Sequence, residues 1–211
     1  MKRRTLLILG AGTAVYGTNG MAFNLGGLTG GGNSTDDIKR LLTAAAKADA
    51  KMHYHFSVAL GKKDDAKRYN GIAESLTVDT IEDDYEKLNE LKDETPLTEN
   101  ELGAFQPTEE ANAALAAGNA MGSIALINYA LVLPKIKSGI DSIKSNPLNF
   151  GLAQTLVLAT QAIPKAMTTL TAMITTSNEM AASNSIPLKS KEEVAQLSKD
   201  MGGTVDTSAL P

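Results

Sequence analysis

Apolar residues recur at alternating steps of three and four along the first part of this chain, which is the spacing of a buried stripe on an α-helix. The most regular run follows Ser34 and Thr35, either of which can cap a helix that Asp36 and Asp37 begin. Its apolar positions are Ile38, Leu41, Leu42, Ala45, Ala48, Met52, Phe56, Ala59 and Leu60. The pattern predicts a first helix that ends at about Leu60.

Weaker patterns of the same spacing cover residues 64–76 and 80–91, and they predict either two helices or one helix bent near residues 77–79. Two capping boxes lie further along the chain, from Thr98 to Glu101 and from Ser190 to Glu193. In such a box a hydroxyl and a carboxylate satisfy each other's free backbone amides. Each box predicts the start of a short helix.

Two long apolar patterns occupy residues 115–136 and 152–173, and each has a second apolar row, as helices packed between neighbours do. Pro134 and Pro164 fall inside these patterns, where proline removes a backbone hydrogen bond and kinks the helix. The dipeptide at 146–147, Asn-Pro, is typical of a turn. We therefore predict an all-α bundle of four to six helices around a long, proline-kinked central helical hairpin.

Small residues on the first long helix bear on how closely the hairpin packs. They are Ala114, Gly118 and Gly122. Because a glycine has no side chain, a neighbouring backbone can come close to it. We expect these residues to allow close approach between the two helices of the hairpin.

Composition agrees with an all-helical class. Only nine of the 211 residues are aromatic and none is tryptophan, whereas strands draw on aromatic and β-branched residues. The length suits one domain, which we place at residues 34–211. No cysteine is present, so disulfides and a lipid anchor on cysteine are excluded.

The first 22 residues have the features of a secretory signal peptide. Lys2, Arg3 and Arg4 form a basic start, an apolar stretch covers residues 5–15, and a small-x-small cleavage site ends at Ala22. The mature protein is then exported to the periplasm or the cell exterior, and residues 23–33 form a flexible glycine-rich leader. The paired arginines leave both the general secretory route and the twin-arginine route open.

The same residues can be compared with a dinucleotide-binding glycine turn, because an apolar run leads into Gly10 and Gly12. The third glycine falls at Gly17 instead of position 15, and no helix or acidic strand end follows. The signal peptide explains the segment better.

Charge excludes one class of function and divides the chain into two surfaces. Cleavage removes three basic residues and lowers the formal net charge from −4 to −7, which argues against nucleic-acid binding. Residues 36–110 contain 28 charged side chains, whereas residues 111–186 contain six. The second surface is therefore charge-poor.

His53 and His55 are the only histidines and are the weak candidates for a metal site. Positions two apart on a helix point about 200° away from each other, so the pair cannot close on one ion without other ligands. We expect His55 to line the edge of the core beside Met52 and Phe56, and His53 to face solvent. We predict no metal and no cofactor.

The acidic stretch from Asp79 to Glu101 is interleaved with Lys87 and Lys92, and it lacks the spacing of a calcium loop. We expect a solvated face there. Nucleophilic catalysis finds no support either, because the chain has no cysteine and no glycine-x-serine-x-glycine elbow. We do not expect an enzyme.

The second long helix has hydroxyl side chains where a solvent-facing helix usually has lysine and glutamate. Uncharged polar side chains suit a contact with a partner protein or an apolar ligand. The residues that we single out for this contact are Tyr129, Thr160, Thr168, Thr171 and Thr175. An ordinary exposed face of low charge is the competing interpretation.

Two functions remain open. The first is an exported, non-enzymatic bundle that binds an unknown partner protein or an apolar small ligand through its charge-poor hairpin, at about residues 111–186. The alternative is a membrane-active protein whose hairpin inserts into a bilayer, since residues 111–134 are uncharged and long enough to span one. Three asparagines in that run and Lys165 in the second helix disfavour insertion.

Overall fold

The computed structural model describes residues 35–144 and 150–203, and this part of the chain contains helices and no strand. The helices are α1 (Thr35–Ala59), α2 (Lys63–Ser75), α3 (Ile81–Glu94), α4 (Glu99–Gly103), α5 (Glu109–Lys144), α6 (Phe150–Ser183) and α7 (Lys191–Asp200). The all-α prediction is confirmed. The predicted signal peptide, the glycine-rich leader and the Asn-Pro turn at 146–147 lie outside the described residues.

The described ranges form seven helices, one more than the upper limit that the sequence patterns predict. The uncertain segment after α2 contains a turn instead of a bent helix, so α2 and α3 are separate. Two hydrogen bonds of one hydroxyl stabilise this turn: Thr80 Oγ1 donates to the carbonyl of Ser75 at 2.9 Å and accepts from the amide of Thr77 at 2.9 Å. Side chains thus satisfy backbone groups that a continuous helix would pair along its axis.

Both predicted capping boxes are confirmed. The Thr98 hydroxyl accepts from the amide of Glu101, whose side chain accepts from the amide of Thr98. Ser190 and Glu193 make the same reciprocal pair at the start of α7. These caps start α4 and α7 by local chemistry, because each partner lies within four residues of the other.

Helix α5 packs against three other described helices, α1, α6 and α7. It contacts α1 most extensively and α6 next. Between Gly118 and Tyr129 every side chain is buried except the half-buried Met121. The segment Glu109–Ile136 is long and apolar enough to cross a bilayer by length and composition alone, yet 78% of its most apolar window is buried inside the protein.

Gly118 packs against α1, and Gly122 packs against both α1 and α6, so the expectation that these glycines bring the two long helices together holds only for Gly122. A Cβ added at Gly118 would lie 2.5 Å from the ring of Phe56 on α1. At Gly122 it would lie 3.1 Å from Met52 Sδ on α1 and 3.1 Å from the Ile174 side chain on α6. The sequence shows that an approach is close but does not identify the neighbour.

Polar side chains join α5 to α6 inside the core. The amide nitrogen of Asn119, Nδ2, donates to Ser177 Oγ at 2.6 Å and to Asn178 Oδ1 at 2.8 Å. Asn119 and Ser177 are both buried, so breaking either hydrogen bond would leave a polar group without water. This pairing favours one register of α5 against α6.

Candidate functional site

A buried carboxylate lies where α1, α3 and α5 meet. Asp49 on α1 is completely buried, and its Oδ2 atom accepts from Lys92 Nζ of α3 at 2.7 Å. The same oxygen accepts from the hydroxyl of Tyr129 on α5 at 3.1 Å. A buried charge is tolerated only when it is paired and hydrogen-bonded, and Oδ2 of Asp49 meets both conditions through helices distant in sequence, whereas Oδ1 accepts no hydrogen bond from the described residues.

His53 lies one turn after Asp49 and packs against the same cluster. Its Nδ1 atom lies 3.0 Å from the backbone carbonyl of Asp49 and 3.1 Å from Asp49 Oδ1. The ring also packs on Tyr69 of α2, with 4.8 Å between the ring centroids. Because Nδ1 lies between two acceptors, it carries the ring hydrogen. In a neutral ring this leaves Nε2 without a hydrogen and able to accept a hydrogen bond. Nε2 makes no hydrogen bond within the described part of the chain.

The prediction that His53 faces solvent is wrong, since its side chain is 3% exposed. Helix α1 packs on α5 with one face and on α2 and α3 with another, so its buried surface is wider than the apolar stripe. Ala44 and Ala50, outside that stripe, are also fully buried. The side chain of His55 is half-buried, so neither histidine is fully exposed to solvent.

Burial and charge act in opposite directions on the ionisable groups of the cluster. Burial by itself raises the pKa of Asp49, but the charge of Lys92 and the interactions with His53 outweigh it and hold this pKa below its usual range. Burial, reinforced by the negative charge of Asp49, raises the pKa of both Tyr129 and Tyr85. The Tyr129 hydroxyl therefore stays protonated and acts as a donor to Asp49.

A cavity of about 440 Å³ opens beside this cluster, between α3 and α6. Its polar lining comes from His53, Asn89, Lys92, Asp93, Gln161, Lys165 and Thr169, and its apolar lining from Pro96, Leu97, Leu158, Ala162 and Ala166. Ala162 and Ala166 are one turn apart, and their small side chains leave space along α6. The volume lies within the range of small-molecule sites, about 300 to 1,000 Å³.

An ion pair borders the cavity on its solvent side. Lys165 Nζ of α6 donates to Asp93 Oδ1 of α3 at 2.8 Å, and the two side chains are 77% and 70% exposed. The cavity thus has two ion pairs in its surroundings, one buried and one exposed. Each pair balances its own charge.

The four threonines that the sequence singled out lie elsewhere on α6. Thr168, Thr171 and Thr175 are exposed and Thr160 is half-buried, and none of the four lines the cavity. Each hydroxyl donates to the carbonyl four residues earlier, at 2.8 to 3.0 Å. Their hydrogens are used within the helix, so this face offers methyl groups and hydroxyl acceptors.

Tyr129 is separated from these threonines, because it is completely buried beside Asp49. Sequence reasoning grouped it with them since both lie in the charge-poor segment. It also placed Lys92 on a solvated face, whereas the Lys92 side chain is 14% exposed and pairs with Asp49. That expectation was wrong for Lys92, although Lys87 is exposed as expected.

Sequence reasoning missed Asp49 altogether. One signal was available: Asp49 stands between alanines on α1 and precedes His53 by four residues, which places the two side chains on one face. Its partners Lys92 and Tyr129 are 43 and 80 residues away, and no local pattern connects them. Within the described residues, no group of three or more His, Asp or Glu side chains is arranged to hold a metal ion.

No protein-family model, curated protein or solved structure matches this chain.

His55 should make the stability of the protein depend on pH. Burial, helped by the charges of Lys51 and Lys189, lowers the pKa of His55 from 6.5 to about 4. Between these values the unfolded chain binds the proton and the folded chain does not, so the contribution present above pH 6.5 is lost as the pH falls towards 4. The loss should be at most about 3 kcal/mol.

Urea unfolding at pH 7.5 and pH 5 measures this loss in the wild type and in His55→Gln. The variant should lose less stability between the two pH values. The Asp49 carboxyl does not interfere, because its usual pKa of 3.8 and its lowered folded pKa both lie below this window. Equal losses in the two proteins would contradict the assignment to His55.

Proposed function

We propose that this chain is an exported, non-enzymatic helical-bundle protein that binds an apolar small ligand in the cavity between α3 and α6. In this proposal α5 and α6 form the proline-kinked hairpin, and the signal peptide at 1–22 directs export. The mature chain would begin at Phe23 in the periplasm or outside the cell. The observation that carries the proposal is the cavity of about 440 Å³ with its apolar wall.

The lining supports an apolar ligand. Leu158, Ala162 and Ala166 form an apolar strip along α6, and Pro96 and Leu97 lie in the lining with them. A few polar groups of the lining, including His53 and Lys92, would fix the orientation of the ligand. The charge-poor segment that the sequence identified contributes one wall of this site. That wall is the apolar strip of α6, whereas the exposed threonines of α6 lie outside the cavity.

Filling the cavity tests the proposal. Straight-chain alcohols from hexanol to decanol are titrated into the protein by calorimetry, and affinity should rise roughly fourfold per methylene while the chain stays in the apolar part. Ala162→Phe should lower the affinity for decanol at least roughly tenfold, because the ring occupies ligand space. Thr175→Phe adds the same ring to the exposed face of α6 and should leave the affinity unchanged.

Two results would count against a cavity ligand. One is the absence of binding for every alcohol in the series. The other is equal weakening by Ala162→Phe and Thr175→Phe, which would indicate a surface effect of the added ring. Circular dichroism of both variants verifies that each is folded before binding is measured.

A partner protein is the second candidate, and one observation favours it. The exposed face of α6 has no charge at Val157, Thr168, Thr171 or Thr175, and Val157 is 49% exposed. Uncharged surface of this kind is typical of the central part of an interface. Native mass spectrometry of the exported protein distinguishes the candidates: a retained small molecule supports the cavity, and a stoichiometric protein subunit supports this face.

Membrane insertion of the α5 and α6 hairpin is the alternative function, and it predicts a different experiment. Because 78% of the apolar window of α5 is already buried, transfer of this helix to lipid would exchange one apolar environment for another. We therefore expect no dye release from liposomes and no flotation with them. Dye release by the wild-type protein at micromolar concentration would favour insertion instead.

A further inference from the structure

The polar lining of the cavity includes Lys92 and His53, which both contact the buried Asp49. Lys92 has three N–H groups, and within the described residues its contact is one hydrogen bond to Asp49 Oδ2. Lys92 also lines the cavity, so N–H groups remain for a ligand. His53 lines the same cavity and is 3% exposed.

The hydrogen-bond partners of His53 determine what its second nitrogen can do. Nδ1 lies 3.0 Å from the Asp49 carbonyl and 3.1 Å from Asp49 Oδ1, and both atoms are acceptors. With the hydrogen on Nδ1, the Nε2 atom of a neutral ring has a lone pair and accepts a hydrogen bond. Nε2 makes no hydrogen bond in the described part of the chain, so its lone pair is available to a ligand in the cavity.

The two ion pairs around the cavity already balance their charges. Lys92 is paired with the buried Asp49, and Lys165 is paired with Asp93. An anionic head group would add a negative charge close to Asp49, and a cationic one would compete with Lys92 for it. A neutral head group that both donates and accepts avoids either conflict.

We propose that the cavity binds an apolar molecule carrying one hydroxyl group, whose O–H donates to His53 Nε2 and whose oxygen accepts from Lys92 Nζ. The apolar body lies along Leu158, Ala162 and Ala166. This inference rests on the proposed function, because it names the head group of the ligand that the cavity holds.

Three probes with the same ten-carbon body and different head groups test the assignment. They are 1-decanol, which donates and accepts, decyl methyl ether, which only accepts, and decanoate, which is charged. We expect decanol to bind roughly tenfold more tightly than the ether, because the ether leaves His53 Nε2 unpaired. Decanoate should bind more weakly than decanol.

Variants at His53 separate hydrogen bonding from a merely structural role. His53→Phe removes the acceptor, so the ratio of decanol to ether affinity should fall to about one, whereas a general loosening of the site would weaken both ligands and keep the ratio. His53→Gln retains an acceptor oxygen and should restore part of the ratio. If His53→Phe fails to fold, the ratio is measured in His53→Gln alone and should lie below the wild-type ratio. Thr175→Phe is the control on α6 and should keep the wild-type ratio.

The outcomes distinguish this inference from the proposed function. Equal binding of decanol and the ether by the wild-type protein, or a preference for decanoate, would overturn the hydroxyl assignment and leave a cavity for apolar ligands intact. A decanol preference that survives in His53→Phe would equally overturn the role of His53. Binding of none of the three probes would overturn the proposed function and this inference together.

Discussion

Replacing Lys92 with methionine should lower the free energy of unfolding by about 3 to 5 kcal/mol. Methionine has nearly the shape of lysine without its charge, so the change removes the partner of Asp49 while the packing is retained. Asp49 is completely buried, and its carboxylate would then keep the Tyr129 hydroxyl and His53 without a full counter-charge. Chemical denaturation monitored by circular dichroism at pH 7 gives the difference.

The chain contains a matched control for this substitution. Lys165 forms an ion pair with Asp93 at 2.8 Å, close to the 2.7 Å between Lys92 and Asp49. The side chains of Lys165 and Asp93 are largely exposed, unlike that of Asp49. Lys165→Met should therefore change stability by at most about 1 kcal/mol, as exposed pairs do. If the two methionine variants lose equal stability, burial of Asp49 is not what makes Lys92 important.

A double variant isolates the buried charge further. Asp49→Asn combined with Lys92→Met removes both charges and retains similar volumes, and it should be more stable than Lys92→Met alone. The physical reason is that a buried ion without its partner is far less favourable than two neutral groups in the same place. A double variant no more stable than Lys92→Met would indicate that lost packing causes the destabilisation.

Gly118→Ala should destabilise the protein by about 1 to 3 kcal/mol, although alanine is the better helix former. The added methyl would lie 2.5 Å from two ring carbons of Phe56, whose side chain is fully buried. Overpacking therefore outweighs the gain of about 1 kcal/mol in helix propensity. Thermal and urea unfolding measure the net effect.

Gly71→Ala is the control with the opposite expected sign. Gly71 lies inside α2, and a Cβ added there has nothing within 4 Å. Helix propensity acts alone at this position, so the variant should be more stable than the wild type by about 0.5 to 1 kcal/mol. Stabilisation by both alanine substitutions would show that α1 and α5 are not in close contact at Gly118.

The all-helical class and most helix positions could be predicted because their causes are local. The apolar stripe from Ile38 to Ala59 is buried throughout, as its spacing indicated. The capping boxes at Thr98 and Ser190 start helices because each hydroxyl and carboxylate lie three residues apart. The turn between α2 and α3 could not be predicted from the sequence, since hydrogen bonds between the Thr80 hydroxyl and the backbone of Ser75 and Thr77 decide it.

The candidate site belongs to tertiary structure. The apolar stripe predicts one buried face of α1. Packing against α2 and α3 buries a second face, which carries Asp49 and His53. The partners of Asp49 come from α3 and α5, so only the packing of distant helices brings Lys92 and Tyr129 to one carboxylate. The sequence by itself determined where helices form, because helix stability depends on neighbours within a turn or two. The tertiary structure alone decided which polar side chains are buried together, because that depends on contacts between residues far apart in the chain.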